Sequence, residues 1–401
     1  MDLSAFPLTS LLASRIQQAA LRDNISFHTL PFHEEALESI LSIPRTHLPT
    51  TLDFTHAARI DTHTHPIPAW FRALEPRAAG RETPTWDMTS HLRFMHEQHI
   101  AHSVLCISTP QANAFLHERD AVPRREKTIA LARLLNEYVA EVCRMYPDRF
   151  SWMAVLPLPY GEAAVMEARY ACEELGAVGV GVLTNHEGLY PGEEEFEELW
   201  GYLEGRARER DGREVVFVHP TEPVVRLEDG RFVGARPSPL RSGLGEFYFE
   251  TARAISSITA NGILTKYPSL HWRVSHGAGA FPDISERFLL GFPDLAAEAR
   301  KAYKERFWYD SAGPVYPNQV KGLTENMGIP VSQLVFGTDY PYGIGFWDVS
   351  ANIAGLADAS FLTEEDKNKV FQRNIQGLLQ EKITKGQEKV ATRTKWLNSE
   401  G

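Results

Sequence analysis

Short apolar runs alternate with amphipathic helical patterns along most of this chain. Eight runs rich in apolar and β-branched residues predict strands at 58–64, 103–108, 150–158, 178–183, 214–219, 271–276, 307–312 and 334–339. Helical patterns separate them, at 87–99, 123–145, 161–175, 193–210, 246–266, 282–301 and 316–328. Near-continuous apolar strands that alternate with helices are typical of a buried parallel sheet. Eight such units predict an α/β fold, a (β/α)8 barrel of the TIM type.

Two segments at the ends of the chain lie outside this alternation. Residues 1–56 contain two amphipathic patterns, at 8–22 and 33–43, which predict an N-terminal helical extension packed on the main domain. Residues 57–380 are the expected barrel domain. The segment 381–401 is charged and poor in apolar residues, which predicts a frayed C-terminal tail.

Two long loops interrupt the barrel pattern. Residues 66–86 follow the first predicted strand, and residues 220–245 follow the fifth. Both are expected at the C-terminal face, where barrel enzymes form their pockets. Long loops at that face usually carry function, although a tolerated surface insertion is an equal alternative for either one.

Composition narrows the class of protein. The chain has 401 residues and a net charge of −11, without a basic stripe. This argues against nucleic acid or an anionic membrane as a partner. There is no apolar run of membrane-spanning length and no basic region before the first apolar patch, so neither a membrane span nor a secretory signal is expected. The three cysteines form no C-x-x-C pair, which favours reduced thiols in the cytoplasm.

Side chains that can bind a metal stand at the C-terminal ends of three predicted strands. His63 and His65 end the first strand and share one face, because side chains on a strand alternate. His219 ends the fifth strand, and Asp339 ends the eighth, which a closed barrel places beside the first. Three imidazoles and one carboxylate suit one Zn²⁺ per chain, with Mn²⁺ as the alternative. One strand-end histidine alone is more commonly structural, but four candidates at one rim favour a metal site.

His276 ends the sixth predicted strand, next to the strand of His219. Because three histidines and an aspartate already complete a ligand set, we interpret His276 as a general acid/base. A ligand for a second ion is the less favoured alternative, since the fourth strand offers no bridging Lys or Glu. Asp61 either supports a ligand or has a buried structural role. Asp310 is expected to be a buried carboxylate facing the pocket.

These motifs resemble those of the amidohydrolase superfamily, in its aminocarboxymuconate semialdehyde decarboxylase-like branch. The resemblance covers roughly residues 58–380. It is carried by Asp61-Thr-His-Thr-His65, His219-Pro220, Ser275-His-Gly-Ala-Gly-Ala-Phe-Pro282 and Gly337-Thr-Asp-Tyr-Pro341. It implies that one metal is bound by His63, His65, His219 and Asp339, with His276 as the acid/base of the sixth strand.

The resemblance also implies substrate contacts. Arg287 falls where related enzymes send an arginine across a dimer interface, which implies a homodimer or a higher homo-oligomer. Tyr342 falls where the branch places an aromatic ring against the substrate, and Trp86 is expected to add to the aromatic lining. His91 stands where the semialdehyde decarboxylases have a substrate-binding arginine, which disfavours a muconate semialdehyde substrate. His91 also belongs to a set with helical spacing, together with His96, His99 and His102, and a solvated or partly packed helix face is a strong alternative for this set.

The segment 247–268 is closest in pattern to the 6-methylsalicylate decarboxylases. It implies a carbon–carbon lyase that removes CO2 non-oxidatively from a small hydroxyaryl carboxylic acid and releases the phenol, as in secondary metabolism. Either His276 or Asp339 would protonate the ring. The alternative is a metal-dependent hydrolase of a C–C, ester or amide bond. A non-catalytic barrel that binds a partner is disfavoured, because all the expected positions are filled.

Overall fold

The structure, a computed structural model, describes residues 7–45, 52–75, 77–210, 212–235 and 239–399. Eight parallel strands form its central sheet, in the order in which they follow along the chain. The strands are β1 (Arg59–Thr64), β2 (Ile100–Leu105), β3 (Phe150–Val155), β4 (Gly179–Leu183), β5 (Glu214–His219), β6 (Leu270–Val274), β7 (Phe307–Asp310) and β8 (Leu334–Val335). Each of them overlaps one of the predicted runs.

The chain after β8 returns to β1 and closes the sheet. The Thr62 N–H donates to the Phe336 carbonyl at 2.9 Å, and the His65 N–H donates to the Tyr340 carbonyl at 2.7 Å. Parallel strands with helices on their outer faces, joined in this way, form the (β/α)8 barrel that the sequence predicts. The fold prediction is confirmed.

Helices cover the outside of the barrel, and they include the two predicted N-terminal helices. They are α1 (Pro7–Arg22), α2 (His33–Ser42), α3 (Ala69–Leu74), α4 (Met88–Glu97), α5 (Ala121–Met145), α6 (Gly161–Arg169), α7 (Glu197–Glu209), α8 (Glu246–Ala260), α9 (Ile263–Lys266), α10 (Phe281–Leu289), α11 (Pro293–Glu305), α12 (Asn318–Lys321), α13 (Val349–Ala357), α14 (Glu364–Asn368) and α15 (Asn374–Ser399). The predicted helix 246–266 is divided because Gly262 adopts a φ of +70°. Within the described ranges, no helix has both the length and the apolar character that a membrane crossing requires.

Helix α15 corrects the expectation of a frayed tail. Its Leu379 and Ile383 are buried in one cluster with Val178 and Val215, which lie at the N-terminal ends of their strands. The few apolar residues of α15 recur at helical spacing, so a low average apolar content still gives one continuous apolar face. The helix therefore covers the N-terminal end of the barrel. Residues 400 and 401 lie outside the described part of the chain.

The N-terminal extension packs on α5, as predicted. Its Leu12, Ile16 and Ile40 are buried in the main hydrophobic cluster of the protein. Residues 46–51, the last part of the predicted extension before the barrel, lie outside the described ranges. The division of the chain at residues 56 and 380 stays a prediction.

Both long loops carry a short antiparallel hairpin. The first pairs Arg77–Ala78 with Arg81–Glu82, and the second pairs Val224–Arg226 with Phe232–Gly234. The loops meet near Gly80, because a Cβ added there would lie 3.2 Å from the Cα of a residue in the second loop. Residues 76 and 236–238 of these loops are outside the described ranges.

Candidate metal centre and active site

Four side chains converge at the C-terminal end of the barrel. One potential ligand atom from each of His63, His65, His219 and Asp339 lies within 4.8 Å of the others, and all four residues are buried. The Nε2 atoms of His65 and His63 lie 3.0 Å and 3.7 Å from Asp339 Oδ1. The structure thus brings together the four residues that the sequence marks as candidate ligands.

The ring orientations of the histidines fit a metal ligand set. His63 Nδ1 donates to Asp310 Oδ2 at 2.8 Å, and His65 Nδ1 donates to the Cys106 carbonyl at 2.7 Å. Because each Nδ1 carries the proton, the Nε2 of each ring is unprotonated, and its lone pair faces the cluster. His63 Nε2 and His219 Nδ1 are buried without a hydrogen-bond partner. Buried nitrogens are rarely left unpaired, so a divalent cation fits this donor set.

Burial and mutual charge set the protonation states that a cation needs. Burial lowers the pKa of His63 well below its usual value, although the charge of Asp339 opposes this effect. Burial, with His65 and His63 nearby, also lowers the pKa of His219. Burial alone would raise the pKa of Asp339, but the hydrogen bond and charges of the neighbouring histidines lower it overall. Neutral imidazoles and an ionised carboxylate are the forms that bind metals.

Two further buried carboxylates hold the ligands in place. Asp310 accepts the His63 Nδ1 proton, and its Oδ1 accepts the backbone N–H of His276 at 2.8 Å. Asp61 Oδ1 accepts the backbone N–H of His63 at 3.1 Å, and its Oδ2 accepts the Thr338 hydroxyl at 2.5 Å. Asp310 does not line the cavity described below, because its oxygens are taken up behind the ligand rings. Asp61 thus accepts hydrogen bonds from a backbone N–H and a hydroxyl, and none from the ring of a candidate ligand. These contacts fit the buried structural role, which is one of the two that the sequence left open.

His276 lies beside the ligand cluster and is held at both ends. Its Nδ1 donates to the Ala312 carbonyl at 2.8 Å, which leaves the second ring nitrogen as the group that can exchange a proton. The ring of Tyr248 stacks on it at 5.8 Å. The φ of His276 is +52°, a conformation that costs a non-glycine residue energy and is often found at functional sites. His63, His276 and Asp310 also lie within ligand distance of one another, and Asp310 accepts hydrogen bonds from the His63 ring and from the His276 backbone.

A cavity of about 270 Å³ opens over the cluster. Its lining includes His219, His276 and Asp339, so the candidate chemistry is accessible from it. The aromatic side chains that line it are Phe247, Tyr248, Tyr342, Phe346 and Trp347. Both long loops contribute residues to the lining, which supports a functional role for them. An apolar cavity with a few polar groups at one end is the usual form of a small-molecule site.

Comparison with known proteins agrees with this geometry. The sequence profile of the family described as Amidohydrolase matches residues 60–379. The chain belongs to the amidohydrolase family.

This amidohydrolase resembles characterised and solved relatives over most of its length. It is 28% identical to the 6-methylsalicylic acid decarboxylase of Penicillium expansum, over 78% of this chain and 93% of that protein. A solved amidohydrolase II is 26% identical, with a TM-score of 0.70 over 80% of this chain and 99% of the other. The dihydroxybenzoic acid decarboxylase of Polaromonas sp. JS666, solved with manganese and the inhibitor 2-nitroresorcinol, is 20% identical, with a TM-score of 0.59 over 80% of this chain and 97% of the other. At that identity the likeness shows the fold alone.

The residues proposed to contact substrate divide into two groups in this amidohydrolase. Tyr342 lines the cavity, and its ring lies 5.4 Å from that of His65. Trp86 and His91 are not among the lining residues. Instead, Trp86 Nε1 donates to His91 Nδ1 at 3.1 Å, and the His91 ring packs 4.7 Å from that of Tyr340. Burial lowers the pKa of His91 to about 3, so this histidine is neutral. The geometry matches the packed helix face that the sequence left as the alternative.

Arg287 lies exposed on α10 and does not line the cavity of its own chain. The contact across a subunit interface that the resemblance implies stays a prediction. Other residues line the cavity although the sequence did not single them out, among them Arg81 and Tyr248. Arg81 is one of several arginines in the first loop, and Tyr248 lies within the first turn of α8, so neither carries a spacing signal.

Proposed function

We propose that this member of the amidohydrolase family is a carboxy-lyase. It removes CO2 non-oxidatively from a small hydroxyaryl carboxylic acid and releases the phenol. The observation that carries the proposal is a buried cluster of three histidines and one aspartate that opens into a small aromatic-lined cavity. Similarity to the 6-methylsalicylic acid decarboxylase of Penicillium expansum, over 93% of that protein, supports this substrate class.

We infer that His63, His65, His219 and Asp339 hold one divalent ion. Their donor set suits Zn²⁺ or Mn²⁺. Such an ion, held by these four residues, would supply Lewis-acid chemistry to the substrate.

His276 is the proposed proton donor to the ring carbon that bears the carboxylate. Protonation there interrupts the aromatic system, and loss of CO2 restores it. Its Nδ1 hydrogen bond to the Ala312 carbonyl fixes the ring while the other nitrogen carries the proton. Asp339, the alternative donor, is the weaker acid/base candidate because neighbouring histidines hold its pKa low. The aromatic lining, including Tyr342, excludes water from the reacting ring.

The test is a CO2-release screen combined with elemental analysis of the purified protein. Salicylate, 6-methylsalicylate, orsellinate, the resorcylates and 5-carboxyuracil are the acids to offer. We expect at least one hydroxybenzoate to release CO2, and we expect no oxygen from labelled water in the aromatic product. The variant His219→Ala is expected to contain no metal and to show no activity. Water oxygen in the product would instead support the hydrolase alternative, and a fully active His219→Ala would refute the ligand assignment.

We infer that the protein forms a homodimer through the surface around Arg287. Large apolar side chains are exposed near this arginine. Ile284 on α10 is 40% exposed, and Leu290, directly after α10, is 81% exposed. Phe249 on α8 is 50% exposed. Exposed apolar side chains that form a patch usually mark an interface. Sedimentation analysis of the wild type and of Leu290→Arg tests the inference, since the charge is expected to shift the protein towards the monomer.

A cytoplasmic location is also proposed. Cys106, Cys143 and Cys172 are all buried and free. Buried thiols without disulfides are typical of proteins in a reducing compartment.

A further inference from the structure

A second cavity lies at the N-terminal end of the barrel, opposite the rim that carries the candidate metal ligands. Its volume is about 640 Å³. Helix α15 forms one wall, and residues 172–178, just before β4, form another together with the C-terminal end of α7. None of the described residues that line it also lines the cavity at the metal ligands. A separate cavity of this size can hold a small metabolite.

Cations outnumber carboxylates around the second cavity. The lining residues with a guanidinium or ammonium group are Arg206, Arg210, Lys382, Lys385 and Lys389. Those with a carboxylate are Glu173, Glu174 and Glu388. Five cations against three carboxylates leave an excess of two positive charges, in a protein whose net charge is −11. The charge of this cavity is therefore opposite to that of the protein as a whole.

The carboxylates near the second cavity are shared between cations. Glu214, which is buried behind the lining, accepts hydrogen bonds from both Arg206 and Lys382. Glu174 also pairs with a cation outside the cavity, since its Oε1 lies 2.9 Å from Nη1 of Arg22 on α1. A carboxylate that is shared between two cations compensates neither of them fully.

Lys389 is the least compensated of the five cations. Its Nζ donates to the backbone carbonyl of Cys172 at 2.6 Å, and no ion pair among the described residues includes it. Burial, together with the charges of Arg210 and Arg206, lowers the pKa of this ammonium. Arg206 Nε is itself buried without a hydrogen-bond partner, because the nearest Glu173 oxygen is 3.8 Å away. Buried donors are rarely left unpaired, so an anion here would satisfy a donor and reduce the repulsion.

Close backbone contact brings the cations together before any ligand arrives. A Cβ added to Gly386 of α15 would lie 2.8 Å from the Gly176 carbonyl oxygen, so the helix lies directly against the loop before β4. Lys382, Lys385 and Lys389 are spaced at i, i+3 and i+7, which places them on the face of α15 that forms the wall. A site that is fixed in advance costs less entropy on binding.

We propose that the second cavity binds a small metabolite that carries a phosphate group, with Lys389, Arg206 and Arg210 as the phosphate-binding side chains. A phosphate monoester has a charge of about −2 at pH 7, which matches the excess of positive charge. Its oxygens accept the charge-assisted hydrogen bonds that guanidinium and ammonium groups donate. The inference does not depend on the proposed function, because this site shares no lining residue with the metal centre.

Calorimetry on the full-length protein as purified tests the proposal. The probes are inorganic phosphate and fructose 1,6-bisphosphate, with fructose as the uncharged control. We expect the wild type to bind at least one of the two phosphate probes and not to bind fructose. The affinity is expected to fall as salt is added, because the attraction is between charges.

Three variants locate the binding. In Lys389→Met we expect the bound phosphate probe to bind about tenfold more weakly or worse, as for a lost charge-assisted hydrogen bond. Arg210→Met is expected to show a loss of the same order, and it keeps the test decisive if Lys389→Met fails to fold. Arg208→Met is the matched control, because Arg208 is on the same helical segment, 68% exposed, and does not line the cavity. This control is expected to bind as the wild type does.

The proposal is overturned if neither phosphate probe binds to the wild type, or if fructose binds as tightly as its bisphosphate. It is also overturned if Lys389→Met and Arg210→Met both retain wild-type affinity, since the phosphate would then bind elsewhere on the protein. None of these results bears on CO2 release, so they leave the proposed function to its own test.

Discussion

At the scale of single residues, the candidate site depends on backbone conformations that most side chains avoid. His276 and Asp339 have φ values of +52° and +60°, in the left-handed region. The surrounding bonds hold them there, since the Asp339 N–H donates to the His63 carbonyl at 2.8 Å and Asp310 accepts the N–H of His276. Each residue turns sharply out of its strand, so its side chain faces the cluster. Strain of this kind is kept where the surrounding structure determines the conformation.

Asp310 is expected to control metal affinity although it is not a ligand in this geometry. Asp310→Asn replaces one acceptor oxygen by an amide donor that faces the protonated Nδ1 of His63. We expect metal affinity to fall about tenfold to a hundredfold, as for other partners of metal-bound histidines. Competition with a coloured chelator measures the affinity, and Asp294→Asn, at an exposed position on α11, is the control. Unchanged affinity in Asp310→Asn would show that His63 does not need this partner.

His276 is expected to act on the proton and not on the metal. His276→Asn should retain the ion but reduce turnover by roughly a hundredfold or more, as for a lost general acid/base. Metal content by elemental analysis and the rate of CO2 release are measured on the same sample. His117→Asn, at an exposed position, serves as the control. If metal content fell together with turnover, His276 would have to be assigned as a ligand.

At the scale of elements, buried charges join the N-terminal extension to the barrel. Arg15 on α1 donates to Glu137 on α5 and to the Tyr170 hydroxyl, the second at 2.6 Å. Glu137 is fully buried. Arg133 on α5 donates to Asp23, which follows α1, at 2.7 Å. Because buried charges need their partners, the extension is an integral layer of the fold and not a loose appendage.

Removing one of these partners should destabilise the whole protein. Arg15→Met takes a charge partner away from the buried Glu137, and we expect a loss of about 3 kcal/mol in the free energy of unfolding. Urea unfolding measures the loss. Arg22→Met is the matched control on the same helix, since Arg22 is 52% exposed and its ion pairs should contribute less than about 1 kcal/mol. Equal losses in the two variants would contradict the role given to the buried pair.

The two long loops act together at the cavity. The first supplies Arg81, and the second supplies Leu244. Their backbones touch at Gly80, where the space for a side chain is taken by Arg241 of the second loop. Because both loops also line the cavity, this contact lies at one of its sides.

At the scale of the whole molecule, buried neutral histidines make stability depend on pH. Burial lowers the pKa of His91 and His186 to about 3 and that of His102 to about 4. The unfolded chain binds protons to these histidines below about pH 6.5, but the folded protein does not. Their contribution is therefore fully present above about pH 6.5 and is lost as the pH falls towards their folded pKa values.

Between pH 7.5 and pH 5, we expect the free energy of unfolding to fall by about 2 kcal/mol for each of these histidines. Urea unfolding at a series of pH values measures the slope. His91→Phe fits among the surrounding aromatic rings and removes one titrating group, so its stability should fall less steeply with acid. A slope identical to that of the wild type would show that His91 is protonated in the folded protein.

The sequence by itself determined the barrel, because the apolar runs that predict its strands are local features of the chain. A buried parallel strand needs a short apolar run, and eight such runs with helices between them leave few other architectures. The same rule placed four candidate ligands at one rim, namely His63, His65, His219 and Asp339. Each of them lies at or just after the C-terminal end of its strand, and parallel strands all end at the same rim of the barrel. The candidate ligand set could therefore be predicted before any distance was known.

Only the tertiary structure decided which other residues face the cavity. Arg81 reaches it through a hairpin, whereas Trp86, a few residues later, bonds to His91 away from it. The segment after residue 380 became a packed helix because the open end of the barrel offered an apolar surface to it. Loop and terminal side chains take their positions from contacts with residues distant in the chain, and no local pattern records those contacts.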